Sequence, residues 1–224
     1  MTDQSEGAPD CCAAPDPRIA QHFDKRVCEL THSGDFPELV DVSRGLLFLM
    51  SDVGSERPTL LELGCGSGAM SVTLLEAGAE SVDGVDLSPE SIATATRRAE
   101  VAGVSERAHF VVGDGSIMPV ESHDWVVMDR VMCCFADVER LLGHAINAAT
   151  ERICFTVPQS RGAWGVFNRI AWGFESWLTR FRRDACPGYV HSLDLMTRRL
   201  SESGFELLRE RRMGLWYAAV WQRA

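Results

Sequence analysis

The chain has 224 residues, of which 46% are apolar and 24% are charged, as is typical of a soluble globular protein with one domain. It contains no run of about 18 apolar residues, so no transmembrane helix is expected. The acidic, polar first residues are not expected to act as a secretory signal. The net charge of −10 argues against a nucleic acid as substrate or partner.

The charge is distributed unevenly along the chain. Residues 1–150 carry 10 Lys and Arg against 25 Asp and Glu, whereas residues 151–224 carry 12 against 7. A basic C-terminal third is compatible with an anionic acceptor or an anionic surface. Arginines on solvated helix faces are the more common explanation of such a bias.

The eight cysteines are predicted to be reduced thiols, because no secretory signal is expected. This interpretation favours a cytoplasmic location. Four of the cysteines form vicinal pairs, Cys11–Cys12 and Cys133–Cys134. The chain has no C-x-x-C pair, so neither a zinc site nor any other metal site is predicted.

Residues 1–16 are predicted to be a flexible tail. Residues 17–54 are predicted to form an N-terminal helical cap, with helices at 17–30 and 36–54. After this cap, strands and helices alternate. The predicted strands are Thr59–Leu63, Ser81–Asp86, Ala108–Val112, Trp125–Asp129, Arg152–Val157, Phe205–Arg211 and Trp216–Gln222. The predicted helices lie at about 67–78, 89–103, 137–149 and 193–203.

This alternation predicts an α/β fold with a mostly parallel, doubly wound, Rossmann-like sheet of seven strands. Only a few residues around Gly214 separate the last two strands, which leaves no room for a crossover helix. One of these strands should therefore run antiparallel, as a reversed C-terminal hairpin. Residues 17–224 are predicted to form one domain, with a helical insertion at 160–190 before the sixth strand.

A glycine-rich turn follows the first predicted strand, with Gly64, Gly66 and Gly68 in a G-x-G-x-G pattern. The next strand ends in Asp86, about 20 residues later, where a doubly wound sheet holds an adenosine ribose. The spacing does not match the G-x-G-x-x-G pattern of dinucleotide sites. An acid before the turn, Glu62, would favour a cation over a pyrophosphate. The pattern therefore predicts S-adenosylmethionine as the cofactor, because it joins an adenosine to a positively charged end.

Four segments in order resemble the motifs of class I S-adenosylmethionine-dependent methyltransferases: LLELGCGSG, VDGVDLSPESIATA, VVGDGS and DWVVMDRVMCCF. Residues 152–213 are loosely similar to the magnesium-protoporphyrin IX O-methyltransferases. The resemblance implies that Glu62 helps to hold the ammonium end, that Asp86 accepts the ribose hydroxyls and that Asp114 accepts the adenine amino group. The full set of cofactor-binding residues implied in this way is Glu62, Gly64, Cys65, Gly66, Gly68, Asp86, Leu87, Asp114, Gly115 and Asp129.

The family places acceptor-facing residues just after the fourth strand, where this chain has residues 131–135 with Cys133 and Cys134. These cysteines could be small apolar residues that line a pocket. They could also bind a thiophilic acceptor or take part in catalysis. If the acceptor needs a general base, His191 is the first candidate, before His22 and His32.

Residues 160–184 combine a helically spaced apolar stripe with interspersed arginines. The stripe could pack against the domain. Residues 164–181 could instead make peripheral contact with a membrane, or residues 160–190 could form a lid over the acceptor.

The predicted function is in-line methyl transfer to a small-molecule acceptor that is apolar or bears a carboxylate. One alternative is a thiol or metalloid methyltransferase that uses Cys133 and Cys134. Another is a non-catalytic module that binds the cofactor or docks on a membrane. The sequence leaves the oligomeric state open.

Overall fold

The computed structural model describes residues 17–30, 36–179 and 188–224. The predicted tail (1–16), which contains the pair Cys11–Cys12, lies outside the described residues, and so does His32. The strands are β1 (Thr59–Leu63), β2 (Ser81–Asp86), β3 (Ala108–Val112), β4 (His123–Met128), β5 (Ala149–Pro158), β6 (Phe205–Met213) and β7 (Trp216–Arg223). The helices are α1 (Pro17–Leu30), α2 (Asp41–Leu49), α3 (Val53–Glu56), α4 (Ala69–Glu76), α5 (Pro89–Val101), α6 (Val138–Ala148), α7 (Gly162–Thr179) and α8 (Leu193–Glu202).

The seven strands form one sheet in the order β3-β2-β1-β4-β5-β7-β6. Strands β1 to β5 are parallel to one another, whereas β7 pairs antiparallel with both β5 and β6. The predicted mostly parallel sheet with a reversed C-terminal hairpin is therefore confirmed. The strand order reverses between β1 and β4, and in open α/β sheets ligands bind at the carboxyl ends of the strands beside such a reversal.

The bounds of β1, β2 and β3 agree with the prediction, but the helix predicted at 36–54 is wrong as a single element. Residues 36–40 are not helical, and the rest divides into α2 and α3. Pro37 has no backbone N–H to donate, which disfavours a helix interior around it. At the break, Asp52 turns its carboxylate towards two arginines from distant strands.

Those arginines form an ion cluster that fixes α3 to the sheet. Arg152 donates to Asp52 at 2.7 Å and to Glu56 at 2.9 Å, and Arg209 donates to Asp52 at 3.0 Å. Burial would raise the pKa of the Asp52 carboxyl, but the hydrogen bonds from the two arginines outweigh it, and the pKa is lowered. Arg152 also lies over the Trp125 ring, with its Cζ 4.5 Å from the centroid. This ion cluster holds the N-terminal helices against β4, β5 and β6.

Apolar side chains cover both faces of the sheet. One buried cluster joins the sheet to α6 and α8, and the other joins it to α2, α4 and α5. The largest fully buried side chains are Trp125, Tyr217, Phe155 and Phe205. Burial of this kind is the main favourable contribution to folding. None of the helices among the described residues is long and apolar enough to cross a bilayer.

Candidate functional site

The glycine turn between β1 and α4 has a backbone that only glycine adopts easily. Gly64, Gly66 and Gly68 have φ values of 76°, 51° and 72°. A Cβ at residue 64 would lie 2.3 Å from Cγ2 of Val131, and one at residue 68 would lie 2.8 Å from the Cβ of Ala95. A Cβ at residue 66 would meet no atom within 4 Å. Gly64 and Gly68 are therefore required by packing, whereas Gly66 leaves open space above the turn.

Asp86, at the carboxyl end of β2, faces this turn. Its two carboxylate oxygens accept the backbone N–H groups of Gly66 at 2.8 Å and Ser88 at 2.9 Å. Burial raises the pKa of the carboxyl, these hydrogen bonds oppose the rise, and the nearby Asp24 adds to it. Each oxygen keeps a lone pair for a further donor, so the carboxylate can accept two hydroxyl groups.

Asp24 belongs to α1, and it brings the N-terminal cap to the same place. Its Oδ1 accepts a hydrogen bond of 2.5 Å from the Ser88 hydroxyl and one of 3.2 Å from the backbone N–H of Glu90. Ser88 is in turn the N-cap of α5, accepting from Ser91 N–H at 2.9 Å. The helix α1 is thus bound to the first turn of α5, beside Asp86.

Asp114 follows β3 and offers an unused acceptor. Its Oδ1 accepts from the backbone N–H of Ser116 at 2.9 Å and from its hydroxyl at 2.7 Å. The other oxygen, Oδ2, is buried and has no hydrogen-bond partner among the described residues. A buried acceptor without a partner costs free energy, and a ligand amino group would satisfy it.

Leu87 is half-buried, whereas Ile117 is 57% exposed.

Gly115 and Cys65, two further residues of the predicted cofactor site, are closely packed against neighbouring strands. A Cβ at residue 115 would lie 3.4 Å from the side chain of Leu63, so the chain passes close to β1 there. The Cys65 thiol is buried and packs towards β2, where a Cβ at Gly84 would lie 3.0 Å from its sulfur. Burial raises the pKa of this thiol, and Asp86 adds to the rise. Cys65 therefore stays protonated near neutral pH.

Two further acids lie at the carboxyl ends of β1 and β4. Glu62 is 3% exposed and accepts a hydrogen bond from the Ser71 hydroxyl. Burial raises the pKa of Glu62 to about 8, the bond from Ser71 opposes the rise, and the charges of Asp129 and Asp86 add to it. Asp129 accepts from the Thr156 hydroxyl at 2.7 Å and from the hydroxyl of Ser43 in α2.

The acids around the turn therefore repel one another. The exposed fraction of the Asp129 side chain is 7%, and the Nε of Arg130 lies 3.9 Å from its Oδ2. No group of three or more His, Cys, Asp and Glu in the described part of the chain is arranged to hold a metal ion. The acids make this side of the glycine turn favourable for a positive charge.

The residues predicted to face the acceptor form a buried 3₁₀ turn, Met132–Cys134. The sulfurs of Cys133 and Cys134 are 3.9 Å apart, and Cys133 donates to the carbonyl of Arg130 at 3.3 Å. Both cysteines are less than 10% exposed. The exposed side chain after β4 is instead that of Arg130.

His191 lies against this turn. Its Nε2 donates to the carbonyls of Met132 at 3.0 Å and Phe135 at 2.9 Å. The Tyr189 ring stacks on the imidazole at 5.7 Å, and its backbone N–H donates to the Cys133 carbonyl at 2.8 Å. Burial lowers the pKa of His191, although the two carbonyls oppose the shift. His191 is therefore neutral near pH 7, with its proton on Nε2 and its Nδ1 able to accept.

The other candidate base that the structure describes, His22, lies in α1 beside Phe23, with ring centroids 5.4 Å apart.

Helix α7 is attached to the domain by a polar face. The Asn168 side chain is fully buried and donates to the carbonyls of Gln159 and Leu215, both at 2.8 Å. Among the side chains of α7 that the structure describes, at residues 162–172, four apolar ones are more than half exposed, namely Trp164, Val166, Phe167 and Ile170. The alternative in which the stripe packs into the core is therefore wrong for Trp164 and Phe167.

A cleft of about 770 Å³ opens beside Asp129, on the same edge of the sheet. Its walls come from α2 and the residue before it, from Arg130, which is the second residue after β4, and from the β6–β7 hairpin. The lining residues are Val40, Asp41, Val42, Arg44, Gly45, Phe48, Arg130, Arg211, Met213 and Trp216. Sequence reasoning missed Arg211, Phe48 and Trp216, because no local pattern connects segments so far apart in the chain. The position of Arg130 after the fourth strand was the one available signal.

Comparison with known proteins agrees with this geometry. Residues 60–152 match the family model described as a methyltransferase domain. Ribosomal protein L11 methyltransferase of Histophilus somni (strain 2336) is 36% identical over 56 residues, which are 25% of this chain and 19% of that protein. The same enzyme of Photobacterium profundum is 41% identical over 49 residues, covering 22% of this chain and 17% of that protein. The chain thus spans less than a fifth of the length of these curated relatives.

Solved structures resemble the chain over most of its length. Magnesium protoporphyrin IX methyltransferase from Synechocystis PCC 6803, crystallised with bound S-adenosylhomocysteine, has a TM-score of 0.70 at 16% identity, over 92% of this chain and 98% of that one. The [4+2]-cyclase SpnF also has a TM-score of 0.70, at 14% identity, over 94% and 97%. The resemblance expected from the sequence is confirmed: residues 60–152 match a model of a methyltransferase domain, and the chain has the fold of the class I S-adenosylmethionine-dependent methyltransferases.

Proposed function

We propose that the protein is an S-adenosylmethionine-dependent methyltransferase that acts on a small molecule by direct in-line transfer. The observation that carries the proposal is the set of acids around an open glycine turn, beside a buried acceptor oxygen of Asp114 that lacks a partner. The fold alone does not decide the reaction, since one neighbour of equal TM-score is named a cyclase.

The described residues fit this cofactor. Asp86 would accept the ribose hydroxyls, and Asp114 Oδ2 would accept the adenine amino group. Asp129 provides negative charge for the ammonium and sulfonium groups, and Glu62, which its raised pKa keeps largely protonated near neutral pH, would ionise beside the bound cation. The open face of Gly66 lets the ligand approach the backbone. When bound, the cofactor supplies an activated methyl group on a positively charged sulfur.

The protein's own contribution is to align the acceptor and to exclude water. The proposed N-terminal cap (17–54) places Asp24 beside the ribose position and Ser43 on Asp129. The proposed acceptor lid (160–190) includes α7, whose exposed apolar face could cover the acceptor or make the peripheral membrane contact proposed for 164–181. A cytoplasmic location remains part of this proposal.

The acceptor is proposed to be apolar or to bear a carboxylate. A carboxylate is already ionised near neutral pH, so methyl transfer to a carboxylate acceptor would need no general base. For an acceptor with a hydroxyl group, His191 stays the predicted base, acting through Nδ1 because Nε2 is bound to two carbonyls.

A second candidate function rests on the adjacent thiols. Cys133 and Cys134 have sulfurs 3.9 Å apart at the carboxyl edge, which suits a soft acceptor such as a thiol or a trivalent metalloid. Replacing both with Ser should abolish such a reaction while S-adenosylhomocysteine still binds. Unchanged turnover of a thiol acceptor would exclude this alternative.

Calorimetric titration with S-adenosylhomocysteine tests the cofactor site. Asp86→Ala should weaken binding about 100-fold, because two charge-assisted hydrogen bonds are lost. The matched control is Glu80→Gln, which removes an exposed acid at the opposite end of β2 and should leave the affinity unchanged. Equal affinity of the Asp86 variant and the wild type would overturn the ribose assignment. Release of labelled methyl groups to any acceptor would exclude the non-catalytic alternative.

A further inference from the structure

The cleft beside Asp129 has features that the cofactor does not use. It lies where β4 and β5 end and where the β6–β7 hairpin turns, and its volume of about 770 Å³ suits a small organic ligand. Gly45 lets the Met213 side chain pack directly against α2 in the wall of the cleft, since a Cβ there would lie 2.2 Å from the Met213 sulfur. The cleft is thus a formed site next to the acids that face the cofactor.

Positive charge dominates the lining of the cleft. Arg44 is neutralised by Glu38 at 3.1 Å and Asp41 at 3.2 Å. Arg211 makes no ion pair with any residue that the structure describes, and its guanidinium lies over the Phe48 ring, 5.6 Å from the centroid. A guanidinium stacked by one face keeps its edge N–H groups free to donate, in a fork that matches a carboxylate.

Arg130 supplies the second guanidinium of the cleft, and its backbone is strained. Its φ is 54°, in the left-handed region that residues with side chains avoid. The backbone N–H of Arg130 donates to the Thr156 hydroxyl at 2.8 Å, which helps to hold this conformation. The exposed fraction of its side chain is 41%. Strain that persists beside a binding cleft is a common sign of a functional position.

The remaining walls are aromatic. Phe48 is 67% exposed, although it belongs to a helix whose other apolar residues are largely buried. Trp216 begins β7 and packs edge-on against Trp172 of α7, with ring centroids 5.9 Å apart. Aromatic rings on the wall of a cleft offer large apolar surfaces to a flat ligand.

We propose that this cleft binds a flat, largely apolar acceptor that carries a negative charge. The edges of Arg211 and Arg130 bind the anionic group, and Phe48 and Trp216 contact the ring system. The cationic cofactor and the anionic acceptor would then occupy adjoining regions of opposite charge. This inference rests on the proposed function, because it assigns the substrate class of the same enzyme.

Binding of two matched probes to the protein saturated with S-adenosylhomocysteine tests the inference. Indole-3-acetate and indole-3-ethanol share a ring and differ in charge. Indole-3-acetate should bind about tenfold more tightly, and Arg211→Met should remove this difference. Arg130→Gly should also weaken the binding of indole-3-acetate, and the new glycine adopts the left-handed backbone without strain. Phe48→Ala should weaken the binding of both probes. Arg212→Met is the control, because it removes the same charge from the next residue of β6, which does not line the cleft.

The outcomes separate this inference from the proposed function. Equal affinities of the two probes, no binding of either, or binding of indole-3-acetate that is insensitive to both arginine variants would overturn the assignment of the cleft. The affinity for S-adenosylhomocysteine is measured in the same preparations, and its absence in the wild type would contradict the proposed function instead. Thermal melts of each variant confirm that the fold is retained.

Discussion

The carboxyl edge of the sheet contains two neighbouring regions of opposite charge. The acidic region lies around the glycine turn, with Glu62, Asp86 and Asp129 at the ends of three parallel strands. The basic region is the cleft that includes Arg130 and Arg211. Asp129 and Arg130 are consecutive in the chain, yet they belong to different regions. The change of charge over one residue would orient a cation and an anion towards each other.

The two regions also differ in how the chain builds them. Each acid of the acidic region comes directly from a strand end, and β1, β2 and β4 are adjacent. The basic region combines α2, Arg130 and the last hairpin, which are up to about 175 residues apart in the chain. The acidic region is therefore encoded locally, whereas the basic region exists only in the folded protein.

The largest expected effect concerns the charge of the acidic region. The folded pKa of Glu62 is about 8, above its ordinary value of 4.5, so the folded protein retains a proton that the unfolded chain loses. The free energy of unfolding should therefore fall between about pH 5 and pH 8, by about 1.4 kcal/mol per pH unit from this residue. Glu62→Gln should remove this slope in urea titrations at several pH values. Saturating S-adenosylmethionine should also reduce it, because a bound cation stabilises the ionised carboxylate.

Glu80→Gln serves as the control for that slope, since Glu80 is an exposed acid beyond the amino end of β2. A slope that Glu62→Gln leaves unchanged would show that the Glu62 carboxyl is already ionised in the folded protein, and a bound cation would then have no protonated carboxyl to ionise.

The glycines of the turn provide a second test, which separates packing from binding. Gly64→Ala should destabilise the protein by about 2–4 kcal/mol, because the new Cβ would overlap the Val131 side chain and the backbone is left-handed. Gly66→Ala should cost only about 1 kcal/mol, since its Cβ would meet no protein atom. It should nevertheless abolish binding of S-adenosylhomocysteine in calorimetry. If Gly66→Ala binds the ligand normally, the open space above the turn is not the cofactor site.

The acidic region was well predicted from sequence because its signals are local. Strands β1 and β2 are apolar runs bounded by glycine or by an acid, and Asp86 lies at the predicted strand end. Asp114 was predicted from the resemblance of VVGDGS to a family motif, and its missing hydrogen-bond partner becomes visible only when the surrounding backbone is in place. The cofactor assignments of these two residues remain predictions that the proposed titrations would test.

The basic region was poorly predicted because its determinants are not local. The helix expected at 36–54 is interrupted where Asp52 binds Arg152 and Arg209, which lie 100 and 157 residues further along the chain. Likewise, nothing in the neighbourhood of Phe48 indicates that Arg211 will stack on its ring. The left-handed backbone of Arg130 has no sequence signal, since Gly or Asn would be the residues expected there.

A third, smaller effect concerns the 3₁₀ turn after β4, which lies next to both regions. His191→Ala should destabilise the protein by about 1–3 kcal/mol, because two buried carbonyls lose their donor. His191→Gln should recover part of the loss, since its amide can donate to the same carbonyls. His109→Gln, at an exposed histidine of β3, is the control.

His191 also predicts a pH dependence of the opposite sign to that of Glu62. Burial lowers its folded pKa below 6.5, so the unfolded chain binds the extra proton and stability should fall as the pH drops below about 6.5. Urea titrations of the wild type and His191→Gln over this range would measure it. Normal stability of the Gln variant together with lost turnover would support a role as base, and normal turnover would limit His191 to positioning the turn.

The smallest effect is expected for the strained arginine of the basic region. Arg130→Gly should stabilise the protein by up to about 1 kcal/mol in thermal melts, because glycine adopts a φ of 54° without steric cost. Arg57 is a matched control: it has a φ of 51° at the end of α3 and lies outside the cleft. Both glycine variants should gain similar stability, but only Arg130→Gly should lose affinity for indole-3-acetate. If both glycine variants lose the same affinity for indole-3-acetate, the positive charge of the protein surface as a whole attracts the anion. The cleft would then not be a distinct basic region.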